Sequence, residues 1–105
     1  MMLKQGAKFE GLQPEILLAV IVANDVYHMH GQRLVVTEGT GGDHMIGSLH
    51  YHGQAVDLRT SNLNESDKAM IVAELKANLG AEYDVIFEGA DTPNEHIHVE
   101  FDPKD

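Results

Sequence analysis

Two short segments of the chain carry residues that could bind a metal ion. SLHYHGQAVDL (48–58) contains His50 and Asp57, and NEHIHVEF (94–101) contains His98. Histidine is the commonest protein ligand of zinc, and carboxylates complete such sites. A catalytic zinc takes three protein ligands and a water molecule, whose pKa it lowers to about 7. The two segments therefore predict a zinc site. The competing interpretation is a set of solvated histidines on an exposed strand face.

The first segment needs an irregular backbone to bring its two ligands together. His50 and Asp57 are seven positions apart, an odd number, so a straight strand would direct them to opposite faces. Gly53 lies between them and can supply a turn or a bulge that brings both side chains to the same side. We therefore expect the strand to be interrupted at this glycine.

Strand alternation orders the second segment more simply. His96, His98 and Glu100 share one face, and the apolar residues between them share the other, which belongs in the core. Glu95 stands at the entrance of this strand and could act as general base on a metal-bound water. The segment thus predicts one histidine ligand and a carboxylate that handles protons.

A long helix precedes both segments. Residues 15–30 predict about four helical turns, with Pro14 in the first turn and Gly31 as the stop. The apolar residues of 16–23 nearly surround the helix axis, so we expect this part to be buried.

A second helix separates the two segments. It is expected over 66–80, with Asn64 or Ser66 as its N-cap and Gly80 as its end. Helices segregated from a mainly antiparallel sheet predict a small α+β domain with two principal helices. The predicted strands are 32–39, 48–60, 83–89 and 96–101.

Composition further limits the possible domain organisation, sites and partners. The chain has 105 residues, enough for a single domain over 1–105 with a core at about 14–102. It has no cysteine, which excludes a thiolate metal site, and its net charge of −10 repels phosphate backbones, so we expect no nucleic-acid partner. That charge would suit a cation, although solubility alone also explains it. No segment predicts membrane insertion or a signal peptide.

Five positions of the first segment resemble a known signature. Ser48, His50, Gly53, Ala55 and Asp57 match the pattern SxHxxGxAxD of the M15 family of zinc peptidases. This family includes D-alanyl-D-alanine carboxypeptidases, dipeptidases of the vancomycin-resistance type and L-alanyl-D-glutamate endolysins of phages. The resemblance implies the family's small α+β fold, the hedgehog/D,D-peptidase-like fold.

The second segment extends the resemblance. Glu95 stands three positions before His98, as does the acidic residue of the family's second element. The resemblance therefore implies His50, Asp57 and His98 as zinc ligands and Glu95 as general acid and base. It covers roughly 14–102, nearly the whole chain.

One feature departs from the family pattern. Many members place an arginine before the motif's serine, where it holds the substrate, but 37–44 contains none. His44 and Arg59 are candidates to replace it, and Arg33, which lies further back in the chain, is a third. By resemblance Ser48 supports the site through a hydrogen bond. His96 is an alternative ligand to His98, or a residue that flanks the substrate.

The resemblance implies a zinc-dependent peptidase, a hydrolase of peptidoglycan stem peptides that contain D-amino acids. Its class would be that of a D-alanyl-D-alanine carboxypeptidase or an L-alanyl-D-glutamate endopeptidase. Such a protein, phage-encoded or bacterial, would be made in the cytoplasm and act on the cell wall or periplasm after release. A second hypothesis is a zinc-binding module of the same fold without turnover. A third is an accidental histidine cluster on a binding protein.

Overall fold

A computed structural model describes residues 1–40 and 53–103 of the chain. It confirms an α+β architecture with two helices, and its five-stranded sheet is mixed. The elements in chain order are β1 (Met2–Leu3), α1 (Pro14–Met29), β2 (Val35–Glu38), β3 (Ala55–Arg59), α2 (Glu65–Leu79), β4 (Tyr83–Glu88) and β5 (His96–Phe101).

The two helices begin and end where local signals predict. Pro14 occupies the first turn of α1, where a missing N–H is tolerated, and the chain leaves α1 through Gly31 at φ +70°. Asn64, and not Ser66, is the N-cap of α2: its side chain accepts a 2.7 Å hydrogen bond from the backbone N–H of Asp67. Gly80 ends α2.

The sheet has the strand order β1-β2-β3-β5-β4. β1 pairs with β2 in parallel, and the other three pairs are antiparallel. β1 is an addition to the strands that the sequence predicts. In the central pair Asp57 lies opposite His98, and Arg59 lies opposite His96.

The core lies between the helices and one face of the sheet. The buried sheet residues alternate along β3 and β5 with polar ones, so Val56, Leu58, Ile97 and Val99 face the helices. The opposite face carries titratable side chains. We call it the polar sheet face, and its titratable members on β3, β4 and β5 are Asp57, Arg59, Asp84, Glu88, His96, His98 and Glu100.

The expectation that 16–23 is wholly buried is wrong. Ile16 is 0% exposed, but Leu17, Leu18 and Ile21 are 50%, 55% and 60% exposed. One face of α1 packs into the core and the other faces outwards, so an apolar sequence around the whole axis leaves an apolar outer stripe. No helix within the described residues is long and apolar enough to cross a membrane.

Candidate functional site

Gly53 is built into a close contact with the N-terminal part of the chain. It lies in a turn just before β3 with φ +72°, which agrees with the predicted interruption. A Cβ atom here would overlap the carbonyl oxygen of Gly11 and lie 2.9 Å from its carbonyl carbon. The carbonyl oxygen of Gly53 also accepts a 2.8 Å hydrogen bond from the N–H of Gln13. Glycine is therefore required here both by conformation and by space.

Asp57 and His98 form the centre of the polar sheet face. They are cross-strand partners, and the Asp57 Oδ1 atom lies 3.1 Å from the His98 Nδ1 atom. Their side chains are only 11% and 12% exposed. The other ring nitrogen, Nε2, lies 2.8 Å from the Glu100 Oε1 atom. The structure thus brings together two of the three predicted zinc ligands.

The two carboxylates change the protonation of this imidazole. Burial lowers the pKa of His98, but the hydrogen bonds with Asp57 and Glu100, aided by their charges, outweigh burial and raise the pKa above its ordinary value. Without a metal ion, the ring is therefore stabilised as an imidazolium that donates through both nitrogens.

A second histidine–carboxylate pair lies beside the first. The His96 Nε2 atom is 3.1 Å from the Glu88 Oε1 atom and 3.7 Å from the Asp57 Oδ1 atom. Its Nδ1 atom donates to the carbonyl oxygen of Asn94 at 2.5 Å. Sequence reasoning missed Glu88, which also lies 3.9 Å from His98 Nδ1. The signal was the short interval between the predicted strands 83–89 and 96–101, because antiparallel pairing across it places Glu88 opposite His96.

The carboxylate of Glu95 is held by hydrogen bonds to its neighbours in the fold. Its Oε1 atom accepts hydrogen bonds from Lys68 Nζ at 2.8 Å and from Thr60 Oγ1 at 2.5 Å, and its Oε2 atom accepts one from the Asp91 N–H at 3.1 Å. These hydrogen bonds, led by that of Lys68, lower the pKa of Glu95 to about 2. A carboxylate held in this way is a weak base, which disfavours the predicted role in proton transfer.

Several predicted site residues cannot be placed. Ser48, His44 and His50 lie outside the described residues. Arg59 lies on the polar sheet face beside His96, and no carboxylate of the described residues pairs with its guanidinium group.

The potential ligands among the described residues are of the types that zinc binds. One carboxylate and one imidazole, mostly buried and in contact, are the nitrogen and oxygen ligands that zinc accepts. A zinc ion on His98 would replace one of its two carboxylate contacts. Among described residues, three potential ligands within 4.8 Å of one another occur at Asp84, Glu100 and Asp102, a group that includes neither Asp57 nor His98.

These features define a small α+β domain with a mixed sheet, and the side of the sheet opposite the helices is rich in histidine and carboxylate. Residues 14–100 match the family model of the Hedgehog amino-terminal signalling domain. Because this match covers most of the 105 residues, the chain belongs to that family.

A curated relative supports the same assignment. The chain is 45% identical over 56 residues to the Tiggy-winkle hedgehog protein of Danio rerio. The matched segment is 51% of this chain and 13% of the relative, so the chain spans only a small part of that protein's length.

The family match corrects the interpretation drawn from the peptidase resemblance. The assignments to the M15 family and to its hydrolase activity are wrong, and so is the peptidoglycan partner; the α+β class stands, and its M15 label has no support. The alternative of a zinc-binding module of that peptidase fold fails for the same reason. Action at a bacterial cell wall as a carboxypeptidase or endolysin has no support. A hedgehog-family chain carries all five positions of the signature, so the signature cannot distinguish the two families.

Proposed function

We propose that this chain is a signalling domain that acts by binding partner proteins on or near the cell surface. The observation that carries the proposal is the match of residues 14–100 to the Hedgehog amino-terminal signalling domain. The likeness to a zebrafish hedgehog protein supports it. We further propose that residues 1–105 act as one domain outside the cell, as the family description implies.

The site geometry is consistent with binding of a partner protein. Glu95, the best candidate for a catalytic base, holds the turn before β5 to α2 through Lys68. The polar sheet face instead offers charged and hydrogen-bonding groups on the side of the sheet that faces away from both helices. Side chains of this kind give specificity to protein–protein contacts through charge complementarity.

Zinc is proposed as a cofactor of this domain. Asp57 and His98 would supply two ligands, and His50, which lies outside the described residues, would supply the third. When bound, zinc would join the segment before β3 to the sheet and contribute to folding stability. These residues bind and orient the ion, and no hydrolytic step is assigned to it.

Metal analysis tests the zinc proposal. We expect purified wild-type protein to contain about one zinc ion per chain, and both Asp57→Asn and His98→Gln to lose it, because each removes a ligand. His28→Gln is the matched control, since His28 is an exposed histidine of α1. Removal of zinc by a chelator should also lower the melting temperature of the wild type and not that of Asp57→Asn. Wild-type protein without stoichiometric zinc would contradict the proposal.

Cell binding tests the proposed function. Fluorescently labelled chain is applied to cultured cells that respond to hedgehog proteins, with and without an excess of the unlabelled zebrafish signalling domain. Saturable binding that the zebrafish domain displaces is expected, because members of one signalling family should share a partner surface. An unrelated protein of equal net charge is the control. Binding that neither saturates nor responds to the competitor would refute the proposal.

A further inference from the structure

A shallow, open cleft lies over β1, β2 and the carboxyl-terminal end of β3. Its volume is about 430 Å³. We call it the arginine cleft, and its lining residues are Met2, Arg33, Val35, Arg59, Ser61 and Asn62. Because Arg59 lies opposite His96 in the sheet, the cleft is continuous with the polar sheet face.

The charge of the cleft is opposite to that of the chain. The net charge is −10, and the sequence contains only two arginines, Arg33 and Arg59, both of which line this cleft. None of the described residues that line it carries a carboxylate. The cleft is therefore a local positive site on an acidic protein, which attracts an anionic group.

The two guanidinium groups are available to a ligand. The Arg33 Nη1 atom contacts the sulfur of Met2 at 3.1 Å, a weak acceptor. Arg59 makes no side-chain hydrogen bond or ion pair with the described part of the chain. Asn62 donates to the carbonyl oxygen of Arg33 at 3.2 Å, which fixes the turn after β3 against the segment before β2. The two arginines thus lie on segments that the Asn62 hydrogen bond holds together.

The cleft chemistry favours a carboxylate attached to an apolar chain. A guanidinium group offers a planar pair of N–H donors that matches a carboxylate in bidentate geometry. Met2 and Val35 add an apolar wall, which suits the aliphatic part of a peptide. A long polyanion fits less well, because two arginines neutralise few charges and the surrounding chain would repel the remainder.

We propose that the arginine cleft binds an acidic peptide segment of a partner protein, through an Asp, Glu or C-terminal carboxylate held by Arg33 and Arg59. This inference rests on the proposed function as a protein-binding signalling domain, and it names the chemistry of the partner. The neighbouring carboxylates Glu88 and Asp57 would repel the same acidic group, which directs it towards the arginines.

Nuclear magnetic resonance tests the cleft with a defined probe. The probes are the peptide acetyl-Gly-Leu-Glu-Gly-amide and its counterpart with Gln in place of Glu. With two arginines in the chain, the side-chain Nε–Hε region holds two signals, which the variants Arg33→Gln and Arg59→Gln assign. We expect saturable shifts of both signals with the Glu peptide and binding weaker by about tenfold or more with the Gln peptide, because a charged hydrogen-bonded pair is lost.

The variants supply the controls. Arg33→Gln and Arg59→Gln should each weaken binding of the Glu peptide about tenfold, whereas Lys76→Gln, which removes an exposed positive charge on α2, should leave it unchanged. Equal shifts with both peptides, or none, would overturn the inference. Tighter binding of a sulfated oligosaccharide than of the Glu peptide would also overturn it, in favour of a polyanion.

The cell-binding assay separates this inference from the proposed function. If wild-type protein binds the cells and both arginine variants bind equally well, the cleft inference is wrong and the proposed function stands. If the wild type shows no displaceable binding, the proposed function is wrong, whatever the peptide titration gives.

Discussion

The variant Gly53→Ala should destabilise the protein by about 2–5 kcal/mol. Two costs add. An alanine at φ +72° is in the left-handed region, which costs about 1–2 kcal/mol for a residue with a Cβ atom. The new methyl group would also overlap the backbone of Gly11, and forcing such an overlap in a packed region costs about 1–3 kcal/mol more.

Gly31→Ala is the matched control for this prediction. Gly31 has φ +70°, but a Cβ atom there would meet nothing within 4 Å. It should therefore carry only the conformational cost of about 1–2 kcal/mol. The change in unfolded-chain entropy is common to both substitutions and cancels in the difference.

Urea unfolding followed by circular dichroism measures both variants. The free energy of unfolding should be about 1–3 kcal/mol lower for Gly53→Ala than for Gly31→Ala. If the two variants are equally stable, the close approach of Gly11 to Gly53 is wrong. The account of why glycine stands at this position of the motif then fails.

Three other variants test the core and the ion pairs. Tyr27→Phe should cost about 1 kcal/mol, because it removes the 2.8 Å hydrogen bond from a buried hydroxyl to the Arg59 carbonyl oxygen; an unchanged urea midpoint contradicts this. Ile16→Ala should lower the free energy of unfolding by about 2–5 kcal/mol and the half-exposed Leu17→Ala by less than about 1 kcal/mol. Equal losses in urea unfolding would mean that the buried face of α1 is assigned wrongly. Glu95 has a pKa of about 2, below its ordinary 4.5, so it stabilises the fold above pH 4.5 and loses this effect as the pH falls towards 2. Glu95→Gln should therefore be less stable at neutral pH and show a flatter acid dependence of thermal stability, and a variant with the wild-type dependence would refute this.

Local signals were sufficient to predict the helices and most strands. Pro14, Asn64 and Gly80 act through the backbone of their own turns, so their meaning can be read without the rest of the fold. β1 could not be predicted in the same way. It is two residues long and exists because of parallel pairing with β2, more than thirty positions away.

The site could be predicted only in part, because the sequence shows which residues share a strand face and does not show how the strands pair. Strand alternation placed His98 on a polar face, and the pairing of β3 with β5 brings Asp57 to it. The surroundings of Glu95 could not be predicted, because they depend on Lys68 and Thr60, which only the folded chain places beside it. Glu88 was missed because its position depends on the register of β4 against β5.

The function could not be taken from the donor pattern. Histidine and carboxylate at these spacings indicate the type of ion that a site accepts, whereas hydrolysis also needs a free base beside it. The hydrogen bonds on Glu95 show that the predicted base is not free in this way. Such details of a site determine its function, whereas one fold or one short motif is compatible with several functions.

Displacement in the reverse direction tests the proposed signalling role most directly. The labelled zebrafish signalling domain is bound to hedgehog-responsive cells, and unlabelled chain, shown to be folded by circular dichroism, is added in increasing concentration. We expect complete, saturable displacement, since the chain belongs to the Hedgehog amino-terminal signalling domain family. Folded chain that displaces none of the labelled domain would contradict the claim that this is a signalling domain with the partner surface of its family.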